Sequence, residues 1–193
     1  MAETATACRG KPSWTVVALR PLAWAWLRAV NMRVVGDMPD LAKFVIVAAP
    51  HKTNWDLPNA LAAGLHYGIA IHWMGKDALF KWPFGGLMRW LGGIPVDRSQ
   101  RNNAVAQMVE AFGAANQLIV VIPPEGTRSD VVRWKSGFYH IANGANVPLV
   151  LAYIDYVRRE IGIAQVFLPT GDYEADLAKI QAVYAPMTGN VPA

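Results

Sequence analysis

The stretch FVIVAAPHKTNWD, residues 44–56, joins a central strand to a helix. Its first half, Phe44 to Ala49, is an unbroken apolar run, the signature of a strand buried on both faces. Its second half turns polar at Pro50 and leads into a helix expected over Trp55 to Tyr67. Thr53 and Asn54 are residue types that cap such a helix. The join carries His51 and Asp56 in an H-x4-D arrangement. A neutral imidazole takes a proton from an alcohol, and a nearby carboxylate fixes its tautomer and steadies the imidazolium that forms. One turn of chain can supply both groups. Taken alone, a His and an Asp at this spacing are more often a capping or surface pair.

Outward from that stretch, strands alternate with helices. Met32 to Val35 is a short strand, with a turn over Gly36 to Asp40. Ile69 to Met74 is a strand, and Lys81 to Leu91 a short helix bounded by turns. Ile94 to Val96 follows as a strand. Asn102 to Ala115 places Val105, Met108, Val109 and Phe112 on one helical face. Leu118 to Ile122 and Pro148 to Ile154 read as central strands, with His140 in a helical stretch between them. Gln165 to Leu168 is a further strand, and Glu174 to Tyr184 the last helix. This order predicts a single-domain, layered α/β/α fold with a mixed central sheet. The expected organisation is a flexible tail over 1–12, an apolar Trp-rich helix over 13–31, and one domain over 32–193. In that helix Pro21 is tolerated if it opens the helical run to about Asn31.

Two segments follow the H-x4-D in order. One is Gly92-Gly93-Ile94-Pro95-Val96-Asp97-Arg98. The other is Pro123-Pro124-Glu125-Gly126-Thr127-Arg128-Ser129, directly after the strand at Leu118 to Ile122. With Val147 to Ala152 as a fourth block, the series resembles the glycerophospholipid acyltransferase family, the 1-acylglycerol-3-phosphate acyltransferase type. Ala152 stands where many members have a second proline. The resemblance covers residues 48 to 154 and implies a glycerol-3-phosphate acyltransferase-like fold. It also implies that an acyl group passes from an acyl thioester, on coenzyme A or acyl carrier protein, to the hydroxyl of a lysophosphatidate-like lipid, a step of phospholipid biosynthesis. His51 is then the general base and Asp56 its orienter, and no cofactor is needed beyond the thioester co-substrate.

Ligands gather at the carboxyl ends of strands in such a sheet. His51 follows one strand and the Pro-Glu-Gly-Thr-Arg segment another, so neighbouring strands would bring His51 to face Glu125 and Arg128. Arg98 and Arg128 are fork-shaped, permanently charged donors suited to an acceptor phosphate. Lys76, Arg133 and Lys135 can add charge. Glu125, Gly126 and Thr127 complete the expected acceptor site. Backbone N–H groups there are candidates for an oxyanion, because glycine lets the backbone come close. Glu125 beside a phosphate repels it, so its expected role is to hold Arg98 or Arg128, or to bind a glycerol hydroxyl. Phe80, Trp82, Phe84, Leu87, Trp90 and Leu91 are candidates for an acyl-chain groove.

The composition suits this reading. The 193 residues suffice for one substantial core. Hydrophobic residues make up 53%, mean hydropathy is +0.19, and eight tryptophans are present, a residue that favours membrane interfaces. They fill the core if they do not face lipid. The net charge of +4 and pI near 9.3 suit an anionic membrane, a phosphorylated substrate or a nucleotide-bearing thioester. The basic residues are scattered and accompany no nucleic-acid motif, which argues against a nucleic-acid partner. One cysteine, Cys8, excludes an intrachain disulfide framework, and the four histidines have no metal spacing. His66, His72 and His140 read as structural. Residues 13 to 30 come nearest to a membrane span but are interrupted by Arg20, Pro21 and Arg28, short of the roughly 20 apolar residues a span requires. The expected location is therefore cytoplasmic, peripheral on the inner face of the cell membrane. Other readings are a different lipid acceptor (a lyso-ornithine lipid or a lysophospholipid), an acyl thioester hydrolase, and a non-catalytic lipid-binding protein. The hydrolase leaves the arginines without a purpose, and the binding protein leaves the His-Asp pair without one.

Overall fold

The computed structural model describes residue 10 and residues 13–51, 53–96, 101–126 and 133–187, with only the backbone of 101–103. Its elements run α1 (Trp14–Ala29), β1 (Arg33–Val35), β2 (Lys43–Ala48), α2 (Asp56–Tyr67), β3 (His72–Lys76), α3 (Gly85–Trp90) and β4 (Gly93–Val96). The chain continues through α4 (Arg101–Ala114), β5 (Leu118–Ile122), α5 (Gly137–Ala145), β6 (Leu149–Asp155), β7 (Glu160–Phe167) and α6 (Tyr173–Tyr184). Short 3-10 turns stand at Asp77–Phe80 and Ala185–Met187.

Among the described residues the strands form one sheet in the order β1-β7-β6-β2-β5-β3-β4. β2 lies at its centre, parallel to β5 on one side and to β6 on the other. β3 and β4 continue the parallel set, whereas β7 returns antiparallel to β6, with β1 parallel to β7. The sheet is mixed, as expected. Side chains alternate along β2 between two cores. Val45 and Val47 face a layer containing Met108, Phe112, Phe138, Ile141, Leu177 and Ile180, from α4, α5 and α6. Phe44 and Ile46 face the other side, under α2, with Ile69, Ile119 and Val150. α1 packs on α2 there, through Ala23, Leu27, Ala62 and Ala63, which meet Ile154 and Ile161. Helices on both faces of the sheet make the layered α/β/α architecture.

β3 runs over His72–Lys76 rather than Ile69 to Met74, and three further elements differ from the sequence reading. β7 begins at Glu160 rather than Gln165, so β6 and β7 form a hairpin closed by residues 156–159. Gly162 hides the first half of that strand, because a glycine inside an apolar run reads as a break. Here it is required: Gly162 faces Tyr153 across the hairpin, and a Cβ would lie 2.5 Å from the Tyr153 ring. The second difference is Pro21, which sits inside α1 instead of opening it. Pro21 and Val17, the residue whose carbonyl loses its helical partner, both face solvent, so water can satisfy the freed oxygen. The third is the start of α2. Thr53 Oγ1 accepts from the Trp55 N–H at 3.3 Å, but Trp55 rather than Asn54 stands at the cap, with no side-chain cap bond of its own. Apart from Gly10, the expected tail over residues 1–12 lies outside the described residues.

The last helix is fastened by Asp176, which is fully buried. It accepts from Tyr139 Oη at 2.8 Å, from Thr170 N at 2.7 Å and from Thr170 Oγ1 at 2.9 Å. Burial alone would raise its pKa; the Thr170 amide and the Tyr139 and Thr170 hydroxyls outweigh it and hold the carboxyl below its ordinary 3.8. Asp176→Ala strands the buried Tyr139 hydroxyl and is expected to cost about 2–3 kcal/mol, read as a lowered denaturant midpoint with the slope unchanged. Because the folded pKa is the lower one, this contribution is complete above pH 3.8 and is lost as pH falls through the folded value. The deficit of the variant should therefore shrink in acid.

Candidate active site

Three parallel strands deliver the site. β2 ends at Ala48, β5 at Ile122 and β6 at Asp155, all at one edge of the sheet. His51 stands three residues past β2 and Glu125 three past β5, so the neighbour relation expected from the sequence places them together. Glu125 is buried, and its Oε1 accepts from the backbone N–H of His51 at 3.3 Å. That bond ties the loop after β5 to the loop after β2 and fixes where the imidazole begins.

The imidazole is held at its other end by Asp56. His51 Nδ1 lies 2.7 Å from Asp56 Oδ2, with the His51 side chain 22% exposed and that of Asp56 7%. In the neutral ring, Nδ1–H donates to the carboxylate, which leaves the lone pair on Nε2. Asp56 is the first residue of α2, where the helix dipole favours a negative charge. Its Oδ2 also accepts from Thr53 N–H at 3.0 Å, and its Oδ1 from Tyr156 Oη at 2.6 Å. Burial would raise the carboxyl pKa, but the hydrogen bonds from His51, Tyr156 and Thr53 prevail and hold it below the ordinary value. The carboxylate therefore stays charged beside the ring. A base with a fixed tautomer, a charged orienter and a reachable Nε2 can deprotonate an alcohol.

The turn at Pro123-Pro124-Glu125-Gly126 brings a cation into the same region. Gly126 has φ +65°, the left-handed region, and the Lys135 side chain lies across it: an added Cβ would come within 2.6 Å of Nζ. Lys135 N–H donates to Pro124 O at 2.8 Å, which seats the lysine there. The Gly126 N–H closes the turn onto Pro123 O at 3.2 Å.

Residues 31–155, which carry β2, α2 and the whole Glu125 turn, match the acyltransferase family. The chain belongs to that family. Its fold also matches the crystal structure of the 1-acyl-sn-glycerophosphate (LPA) acyltransferase PlsC from Thermotoga maritima. The TM-score is 0.63, at 20% identity over 92% of this chain and 81% of that one, a likeness that speaks for the fold. No curated protein matches the sequence.

The acyltransferase places its sequence-expected site residues unequally. His51, Asp56, Glu125 and Gly126 are brought together. Lys76 ends β3 on the same edge of the sheet and is exposed. Arg98, Thr127 and Arg128 lie outside the described residues. Arg133 reaches Glu174 at 3.5 Å in an exposed pair, whereas Lys135 sits at the Gly126 turn. Of the six side chains expected to line an acyl groove, Phe80 is core, packed on Trp73 and beneath Gly75 and Gly93. Trp82, Phe84, Leu87 and Trp90 stand exposed, and Leu91 is half-buried. An apolar gap of about 50 Å³ lies elsewhere, between α2 and the sheet, bounded by Ala60, Gly64, Ile46 and Ala152.

Sequence reasoning missed Tyr156 and Asn59. Tyr156 is a hundred positions from its carboxylate partner, and no local pattern joins them. The available signal was position: Tyr156 immediately follows β6, at the strand edge where functional groups collect.

Proposed function

We propose that this acyltransferase moves an acyl group from a thioester, on coenzyme A or acyl carrier protein, to the hydroxyl of a lysophosphatidate-like lipid in phospholipid biosynthesis. The observation that carries the reading is the 2.7 Å contact between His51 Nδ1 and Asp56 Oδ2 at the sheet edge, with Nε2 left to act. Nε2 takes the acceptor's hydroxyl proton while the oxygen attacks the thioester carbonyl carbon. The tetrahedral intermediate collapses, the C–S bond breaks, and the imidazolium returns its proton to the departing thiolate. The alcohol attacks directly, so no acyl-enzyme forms. Arg98 and Arg128 are the proposed clamps on the acceptor phosphate, with Lys76, Glu125, Gly126 and Thr127 as the further proposed acceptor-binding residues. Lys135 supports this placement by putting an ammonium against Gly126.

The test is an acceptor panel with labelled acyl-CoA and acyl carrier protein. Lysophosphatidate should be the preferred acceptor over lysophosphatidylglycerol and a lyso-ornithine lipid. Equal acylation of an acceptor lacking a phosphomonoester would replace the lysophosphatidate assignment with another lipid. Label released as free acid without acceptor would make the protein a hydrolase.

The same reading places the protein on a membrane surface. Five of the eight tryptophans are more than half exposed: Trp14, Trp24, Trp55, Trp82 and Trp90. No described helix is long and apolar enough to cross a membrane. α1 has two faces: Val16, Ala23 and Leu27 are buried, whereas Trp14, Leu22 and Trp24 face outward, with Arg28 stacked over Trp24. An interfacial helix with an apolar outer face and cations binds anionic lipid. Replacing Leu22 and Trp24 together by Ser should weaken sedimentation with anionic vesicles about tenfold or more while leaving the thermal transition in place, since neither side chain is core. Unchanged vesicle binding would move the contact to Trp82 and Trp90.

A further inference from the structure

The proposed dyad is not the end of the hydrogen-bond chain. Asp56 Oδ1 accepts from Tyr156 Oη at 2.6 Å. Tyr156 Oη in turn accepts from Asn59 Nδ2 at 3.2 Å, and Asn59 Oδ1 accepts from Trp26 Nε1 at 3.0 Å. Asn59 is 2% exposed and lies one helical turn after Asp56 on α2. Every proton in the chain points toward the carboxylate: indole to amide oxygen, amide N–H to phenol oxygen, phenol to Asp56. The bond pattern permits one orientation of each group, because indole and amide N–H only donate and a carboxylate only accepts.

We propose that Tyr156 is a positioning residue for the Asp56 carboxylate, oriented by Asn59 and, through it, by Trp26 of the N-terminal helix. Tyr156 comes from the β6–β7 hairpin, Asn59 from α2 and Trp26 from α1, so the carboxylate is located by three separately anchored elements. Asp56 Oδ2 is already engaged by His51 and Thr53. The Tyr156 bond holds Oδ1 from the hairpin side, and removing it loosens the carboxylate about its Cβ–Cγ bond. That rotation moves Oδ2 away from the Nδ1–H line and with it the aim of Nε2. Burial and the Asp56 charge push the Tyr156 phenol well above its ordinary pKa, so it remains a donor across the working pH range. α1 also carries the outward face assigned above to lipid, and its Trp26 ring lies 6.0 Å from that of Trp55. The N-terminal helix thus reaches the dyad through one amide and one phenol.

This inference rests on the His51–Asp56 reading, and its test separates the two. Tyr156→Phe keeps the ring and removes one oxygen. Its kcat should fall about ten- to a hundredfold, with both KM values within about twofold of wild type, because the loss is of aim rather than of binding. The acid limb of its kcat/KM profile should move to higher pH, since the Tyr156 bond helps hold the Asp56 carboxyl low and a carboxylate that has lost a donor holds a proton more tightly. Trp26→Phe, farther out, should move both readouts in the same direction by a smaller factor. The proton NMR resonance of His51 Nδ1–H, followed in wild type and Tyr156→Phe without substrate, reports the geometry even if the protein acylates none of the acceptors tried. A shifted or broadened resonance in the variant supports the proposal. Wild-type kcat, pH profile and Nδ1–H resonance in Tyr156→Phe overturn it, as does a variant whose loss lies in KM alone. If Tyr156→Phe does not fold, the same three readouts on Trp26→Phe decide, with wild-type values counting against the proposal.

Discussion

His51→Ala is expected to reduce acyl transfer by roughly 10²–10⁴-fold while leaving the thermal transition within a few degrees of wild type. The structure explains why the two effects separate. The backbone N–H of His51, not its ring, donates the structural bond to Glu125 Oε1, and alanine retains that N–H. The ring is partly exposed and contributes little to the core. Removing it takes away the Nε2 lone pair, and no second histidine among the described residues is placed to substitute. His72 bonds the Ile119 carbonyl within the sheet, and His140 packs on Tyr139 and Tyr173 on the far helical layer. Turnover near the wild-type rate in a folded His51→Ala protein would remove the general-base mechanism altogether.

Asp56→Asn is the second large effect, and the donors around the carboxylate set its character. Two of them, His51 Nδ1–H and the fixed Thr53 N–H, converge on Oδ2, and Tyr156 Oη meets Oδ1. An asparagine has one acceptor oxygen. The backbone amide cannot turn away, so the oxygen takes the Oδ2 position and the NH2 faces Tyr156. The Nδ1–H tautomer then survives, and the damage is loss of the negative charge that steadies the imidazolium. A fall of roughly 10²–10³-fold in kcat is expected, with acceptor KM little changed. Asp56→Ala, which also releases Thr53, Tyr156 and the ring, should fall further and lose stability as well. If Asn and Ala variants are equally active and close to wild type, the carboxylate is a helix-start residue without a part in turnover.

The course of the chain was legible where residues act locally. Phe44–Ala49 announces a central strand because both of its faces are covered, and the H-x4-D lies within one turn of it. The adjacency of His51 and Glu125 needed one further fact, that β2 and β5 are neighbours, and the apolar runs at both allowed it to be anticipated. What could not be read was contact at long range. Tyr156, Asn59 and Trp26 carry no motif, and their hydrogen bonds span separations of 33 and 97 positions. Gly162 concealed half of β7, because its purpose is the Tyr153 ring opposite, which the sequence gives no means to place. Apolar character alone does not tell core from surface among the aromatic residues here: Phe80 is buried, whereas Trp82 and Trp90 are exposed.

If an acceptor alcohol attacks the thioester directly under His51 base catalysis, release of thiol requires the acceptor. The most direct measurement is rapid-mixing detection of free thiol from an acyl-CoA or acyl carrier protein substrate, with and without lysophosphatidate. Thiol should appear only when acceptor is present, in a one-to-one ratio with acylated lipid. A stoichiometric burst of thiol without acceptor, signalling an acyl-enzyme, or continuous release to water would contradict it.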